Sequence, residues 1–68
     1  MKNWDVNATD FMGNTALTWA VRRGLEEVIK ELLKRMDVNP NHEDTEYGRT
    51  PLSWAAWIGH VGIVTMLL

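Results

Sequence analysis

Residues 48–68, GRTPLSWAAWIGHVGIVTMLL, decide the fold because the chain contains a close copy of them. A shift of 35 residues places residues 13–33, GNTALTWAVRRGLEEVIKELL, over this stretch. The identical pairs are Gly13/Gly48, Thr15/Thr50, Leu17/Leu52, Trp19/Trp54, Ala20/Ala55, Gly24/Gly59, Leu32/Leu67 and Leu33/Leu68. Self-similarity at this period predicts a fold in which copies of one small unit stack side by side.

Each copy has the sequence pattern of two short helices joined by a tight turn. Thr15 and Thr50 are suitable N-cap residues, and Pro51 follows at the first helical position, where its missing N–H costs nothing. Gly24 and Gly59 suit the left-handed residue that ends a helix. Apolar residues then recur at helical spacing in the second helix of the first copy: Val28, Ile29, Leu32 and Leu33.

The connection before the second copy is longer than the one before the first. WDVN at 4–7 matches MDVN at 36–39, but five residues separate Asn7 from Gly13 and eight separate Asn39 from Gly48. The longer segment, PNHEDTEY, combines a proline with polar and acidic side chains. It therefore predicts an exposed loop tip.

The combination of these motifs resembles the ankyrin repeat. The matching motifs are Thr50-Pro51-Leu52, Ala55-Ala56, Gly59-His60, Leu67-Leu68 and, at the end of a repeat, Asp37-Val38-Asn39. Ser53 and Thr18 stand where the family usually has a histidine, and the usual glycine before Asp37 is missing. The resemblance implies an all-α solenoid fragment of helix-turn-helix units. The wording TPLSWAA is similar to that of long fungal ankyrin arrays.

The resemblance also implies boundaries within the chain. Residues 1–12 are expected to be the tail of a preceding repeat. Residues 13–47 form one repeat with a lengthened loop, and residues 48–68 form a truncated second repeat. We expect the chain to be a fragment of a longer array.

Composition narrows the possible partners and locations. The net charge of −2 predicts no broad attraction to nucleic acid. The uncharged stretch from Leu52 to Leu68 has 17 residues, close to the lower limit for a membrane span. The repeat argues against a span, because Gly59 and His60 fall at a predicted turn. Without cysteine or an apolar leader, we expect an intracellular, cytoplasmic protein.

No constellation of residues indicates chemistry. His42, Glu43 and Asp44 are adjacent loop residues, which rarely point at one metal ion, and no second histidine lies at a ligand spacing. Ser53 has no evident base, and the glycines form no phosphate-binding motif. We therefore expect no enzymatic activity, no cofactor and no metal.

Ankyrin-like stacks usually bind proteins on their concave side, through loop tips and the variable residues that follow the Ala-Ala pair. Carried over to this sequence, those positions are Phe11, Met12, Asn14, Arg22, Arg23, Glu46, Tyr47, Arg49, Trp57 and Ile58. Trp57 is the leading candidate for a dominant contact, because tryptophan often carries binding energy at interfaces. Trp57 and Ile58 have no apolar counterpart in the first copy, whereas Arg22 and Arg23 could equally be a solvated pair.

Self-association is the alternative reading. The second copy has Val61 and Met66 where the first has glutamates, and arrays usually need about three units with polar caps. We expect either neighbouring repeats or other copies of the chain to cover this end. In that case the segment would be architectural within a larger signalling protein. Trp19 and Trp54 are equivalent by the repeat, so we predict that both are structural and lie between repeats.

Overall fold

The computed structural model describes residues 5–68. Four helices follow one another: α1 (Ala16–Arg23), α2 (Glu26–Leu33), α3 (Pro51–Ile58) and α4 (Val61–Leu67). The described residues contain no strand, so the all-α prediction is confirmed. No helix in this part of the chain is long and apolar enough to cross a bilayer.

The helix boundaries form where the sequence predicts them. The Thr15 hydroxyl caps α1 by accepting the Thr18 N–H at 3.2 Å, and Thr50 caps α3 through the Ser53 N–H at 3.1 Å. Gly24 ends α1 with φ of 70°, and Gly59 ends α3 with φ of 85°. Each repeat is a helical hairpin, and the first helix of each has locally encoded ends.

The two hairpins pack through their first helices. Helix α1 contacts α2 within its own hairpin and α3 in the next one, and α3 contacts α4. The core between them is small and apolar, and it consists of Val6, Leu17, Ala20, Val21, Ile29, Leu32, Trp54, Ala55 and Ile63. The core residues come from both repeats and from the segment before α1, so the two repeats share one core.

Equivalent residues differ in burial because each repeat has two packing faces. We call the side formed by Trp19 and Val28, or by Trp54 and Ile63 in the second repeat, the leading face. Trp19 is 39% exposed and Trp54 only 6%, while Val28 is 45% exposed and Ile63 fully buried. Among residues 5–68, another repeat packs on the second leading face alone, so the prediction that both tryptophans lie between repeats holds for Trp54 and not for Trp19.

The opposite side of each repeat shows the reverse pattern. We call it the trailing face, formed by Val21 and Ile29 and by their counterparts Ala56 and Val64. Val21 and Ile29 are buried, whereas Ala56 is exposed and Val64 is half-buried. The trailing face of the first repeat thus packs on the leading face of the second.

Two sets of hydrogen bonds tie the loops of the repeats together. The Asn7 side chain donates to the Asp37 carbonyl at 2.8 Å and accepts the Asn39 N–H at 2.6 Å. Nearer the loop tips, the Thr45 N–H donates to the Met12 carbonyl at 3.0 Å. The lengthened loop therefore contacts the first loop. Most of its residues are exposed, as predicted, and Asp44 is buried.

Candidate protein-binding face

A buried carboxylate organises the loop before α3. Asp44 is 2% exposed. Its Oδ1 accepts the N–H groups of Tyr47 and Gly48 at 2.7 and 3.1 Å, and its Oδ2 accepts the Trp54 indole N–H at 2.6 Å. One side chain thus fixes both the turn and the ring that the turn covers.

The first repeat contains an equivalent aspartate, Asp10, in a more exposed position. Asp10 Oδ1 accepts the backbone N–H groups of Met12 and Asn14, each at 2.9 Å. Its Oδ2 accepts the Trp19 indole N–H at 2.7 Å. An aspartate at the start of each loop therefore orients the tryptophan of the following helix.

The pKa of each aspartate is lower than usual. For Asp44, burial on its own raises the pKa, but the Tyr47 N–H and the Trp54 indole outweigh it, assisted by the Gly48 and Glu46 N–H groups. For Asp10, the Asn14 N–H is the largest cause of the lower pKa, and it acts against desolvation. Both groups are therefore carboxylates at neutral pH and accept hydrogen bonds without donating any.

Arg22 joins the two loops and the two tryptophans. Its guanidinium carbon lies 4.2 Å from the Trp54 ring centroid and 5.5 Å from that of Trp19. Its Nη1 contacts the Asn14 Oδ1 at 3.1 Å and the Glu46 Oε1 at 3.3 Å. The side chain is only 23% exposed, so Arg22 is more than a solvated charge.

Arg49 also contacts Trp54, together with two further aromatic rings. Its guanidinium carbon lies 4.8 Å from the ring centroids of Tyr47 and Trp54 and 4.6 Å from that of Trp57. Tyr47 meets the Trp54 ring edge-on, with 5.7 Å between centroids. These contacts hold Trp57 in place although it is 69% exposed.

We call this surface the aromatic–arginine face. It consists of Trp19, Arg22, Arg23, Tyr47, Arg49, Trp54 and Trp57. Arg23 extends it at one end, with its guanidinium 5.0 Å from the Trp19 centroid. Cations and rings alternate along the face at distances at which a cation is attracted to an aromatic ring.

The predicted contact residues divide into three groups. Arg22, Arg23, Glu46, Tyr47, Arg49 and Trp57 are brought together by the contacts described above. Phe11, Met12 and Ile58 are exposed beside this cluster. Asn14 is 2% exposed, because its amide lies behind the surface and holds Arg22. The predicted self-association residues also differ, since Val61 is exposed while Met66 packs against the core.

Sequence reasoning missed the two aspartates. Asp10 precedes Trp19 by nine residues and Asp44 precedes Trp54 by ten, so the two pairs do not align at the 35-residue shift that reveals the repeat. A separate search for acids preceding each repeated tryptophan would have found them. Among the described residues, no group of three or more potential ligands could hold a metal ion.

The family model for ankyrin repeats, in three copies, matches residues 1–68. The chain therefore belongs to the ankyrin repeat family, as the residue motifs predicted. Ankyrin repeats generally mediate protein–protein interaction and are typically non-catalytic modules.

Known relatives are much longer proteins. The chain is 43% identical over 60 residues to Inversin from Danio rerio, covering 87% of this chain and 6% of that protein. It is 34% identical over 65 residues to Palmitoyltransferase Hip14 from Drosophila melanogaster, covering 96% of this chain and 10% of that protein. Inversin from Mus musculus is 38% identical over 60 residues, with 87% of this chain and 6% of that protein covered. The chain thus spans a tenth or less of these relatives, and the fungal origin stays a prediction.

Proposed function

We propose that this chain is a non-catalytic protein-binding module whose contact surface is the aromatic–arginine face with its exposed neighbours Phe11, Met12, Glu46 and Ile58. The observation that carries the proposal is Trp57. It is 69% exposed, yet Arg49 holds its ring at 4.6 Å. An exposed tryptophan beside arginine and tyrosine has the composition of an interface hot spot.

Charge supports a protein partner over a polyanion. Arg22 is paired with Glu46, and the chain carries a net charge of −2. A nucleic acid or an anionic lipid surface usually requires several unpaired cations on one face. The proposal places the module in an intracellular, cytoplasmic protein, with residues 1–12 as the tail of a preceding repeat.

Peptide selection tests this function. The full chain is used to select binders from a random peptide library displayed on phage, and affinities of the selected peptides are measured by fluorescence anisotropy. We expect Trp57→Ala and Ile58→Ala to weaken binding at least about ten-fold, the usual scale for losing an interface hot spot. Helicity and mass should stay unchanged.

Met36→Ala is the matched control, because Met36 is fully exposed and lies outside the face. It should leave the affinities unchanged. The proposal fails if no peptide binds, or if binding is insensitive to substitutions on the aromatic–arginine face.

Self-association is a second candidate function, favoured by the open leading face of the first repeat. Ala16, Trp19, Ala20, Arg23, Leu25 and Val28 line an open groove there, with a volume of about 430 Å³. Their counterparts Pro51, Trp54 and Ile63 are buried by the neighbouring repeat. This groove could be covered by a trailing face like that of the second repeat. Such a face would come from another copy of the chain or from a neighbouring repeat.

Stacking between copies would be head-to-tail and open-ended, so the average mass should rise steadily with concentration. Sedimentation equilibrium measures this rise. We expect Val28→Lys to abolish it and Met36→Lys to leave it unchanged. Val61→Glu and Met66→Glu, which introduce the residues of the first repeat, test whether Val61 and Met66 contribute. A monomer at all concentrations would exclude self-association.

A further inference from the structure

We propose that Arg49 is an anchor for a carboxylate of the partner protein, with an apolar partner residue beside it on Trp57. This inference rests on the proposed function and names the partner chemistry for the same face. It begins from the three aromatic rings that surround one guanidinium, those of Tyr47, Trp54 and Trp57 at 4.6–4.8 Å.

The donors of Arg49 have no acceptor within the part of the chain that the structure describes. Over residues 5–68, the Arg49 guanidinium takes part in no ion pair and no side-chain hydrogen bond, and its contacts are with rings. Ring faces attract the cation but do not replace a hydrogen-bond acceptor, so the guanidinium N–H groups of Arg49 have none among residues 5–68. A half-buried guanidinium in this position can therefore donate to a ligand.

Arg49 differs in this respect from the other inner arginine of the face. Arg22 already donates to Asn14 and Glu46. The partnered Arg22 is therefore structural, and Arg49 is the group left to bind an acceptor from outside. A guanidinium that presents its fork binds a carboxylate through two parallel hydrogen bonds.

A carboxylate fits this site better than a phosphate. Phosphorylated groups carry nearly two negative charges and are usually bound by clusters of arginines. Here the nearest inner arginine is paired with Glu46 at 3.3 Å, and Arg23 contacts the Trp19 ring. Arg49 therefore brings the charge of one guanidinium to the rings of Tyr47, Trp54 and Trp57. One carboxylate balances that charge.

Trp57 and Ile58 provide an apolar surface for a partner residue next to the carboxylate. Both side chains are exposed, at 69% and 47%, and they lie in sequence at the end of α3 next to the Arg49 contact. A partner segment that pairs an aspartate or glutamate with an aromatic or branched residue would satisfy the guanidinium and cover the ring together. Covering the ring also excludes water from the ion pair and strengthens it.

A double-mutant cycle tests the anchor. The probe is the tightest peptide selected from the random library, synthesised in its selected form and with its acidic residue changed to the matching amide. We expect an aspartate or glutamate in most selected peptides. Arg49→Gln should weaken binding of the acidic peptide about ten-fold more than binding of the amide peptide, the usual scale for a charge-assisted hydrogen bond.

Two further variants separate binding from structure. Arg49→Lys should recover little of the affinity, because an ammonium lacks the fork and stacks poorly on rings. Lys34→Gln is the matched control, since it removes an exposed positive charge outside the face, and it should change the affinity less than two-fold.

The outcomes distinguish this inference from the proposed function. Peptides that depend on Trp57 but show no preference for an acidic residue would overturn the carboxylate anchor and leave the protein-binding function standing. Equal effects of Arg49→Gln on the acidic and amide peptides would also overturn it, since Arg49 would then only support Trp57. Tighter binding of a phosphoserine peptide would replace the carboxylate with a phosphate. Failure to select any Trp57-dependent peptide would overturn both.

Discussion

At the scale of single residues, the aspartates explain why tryptophans in a small domain lie in defined orientations. An indole offers one N–H donor, and leaving that donor buried without an acceptor is costly. Asp44 and Asp10 accept it in their respective repeats, at 2.6 and 2.7 Å. The same carboxylates hold the loop backbone, so ring orientation and loop conformation depend on each other.

Asp44→Asn should destabilise the protein at neutral pH by about 1–3 kcal/mol, because an amide cannot accept all three N–H groups that the carboxylate accepts. Urea titrations followed by circular dichroism measure this loss. Asp10→Asn is the matched control in a more exposed site, and its cost should be smaller. Equal costs would contradict the role assigned to burial.

The lowered pKa of Asp44 predicts how this cost depends on pH. A carboxyl whose pKa is lower in the folded state stabilises the fold above its unfolded pKa, close to the ordinary value of 3.8. That stability is lost as the pH falls through the folded pKa. The difference between the wild-type protein and Asp44→Asn should therefore narrow below about pH 4. A constant difference down to pH 2 would exclude this linkage.

At the scale of elements, the structure is a pair of hairpins whose loops are as closely fitted as their helices. Gly13 and Gly48 occupy equivalent loop positions with φ of 78° and 69°. An added Cβ at Gly13 would lie 2.6 Å from the Thr45 backbone nitrogen, whereas Gly48 has open space around it. The first glycine therefore serves the contact between loops, and the second serves only its own turn.

Gly48→Ala should cost about 1 kcal/mol, the scale of placing a side chain in left-handed backbone. Gly13→Ala should cost clearly more, because it adds the clash with Thr45 and weakens the hydrogen bond from the Thr45 N–H to the Met12 carbonyl. Thermal and urea unfolding of the two variants measure the difference. Similar costs would show that the two loops do not fit together as closely as the structure indicates.

At the scale of the whole molecule, stability comes from the junction between repeats. Leu17, Val21 and Ile29 of the first repeat are buried, and α1 packs on α3. A second link joins the hairpin turns, where His60 Nε2 lies 3.5 Å from Glu26 Oε2. Neither repeat has a second layer of its own to cover these side chains.

Residues 1–47 on their own should therefore lack stable helices, since a single unit of a repeat array cannot bury its apolar face. Circular dichroism should show a large loss of helical signal per residue relative to the full chain. Cooperative unfolding of this fragment would contradict the view that the junction supplies the stability.

The sequence by itself determined the helices, their ends and the family. Thr15, Thr50, Gly24 and Gly59 act through hydrogen bonds and backbone angles within a few residues, so local chemistry was enough to predict them. The repeat and its short sequence motifs then predicted the ankyrin fold. They also indicated which residues lie near the loop tips.

Only the tertiary structure decided which copy of each repeated residue is buried and which side chains form one surface. Trp19 and Trp54 occupy equivalent positions of the repeat, yet among residues 5–68 only Trp54 has another repeat packed over its leading face. The Asp44 carboxylate and the three rings around Arg49 likewise come together through packing between a loop and a helix. Burial and side-chain clustering depend on neighbours distant in the sequence, and the local pattern of a repeat is the same whether or not those neighbours are present.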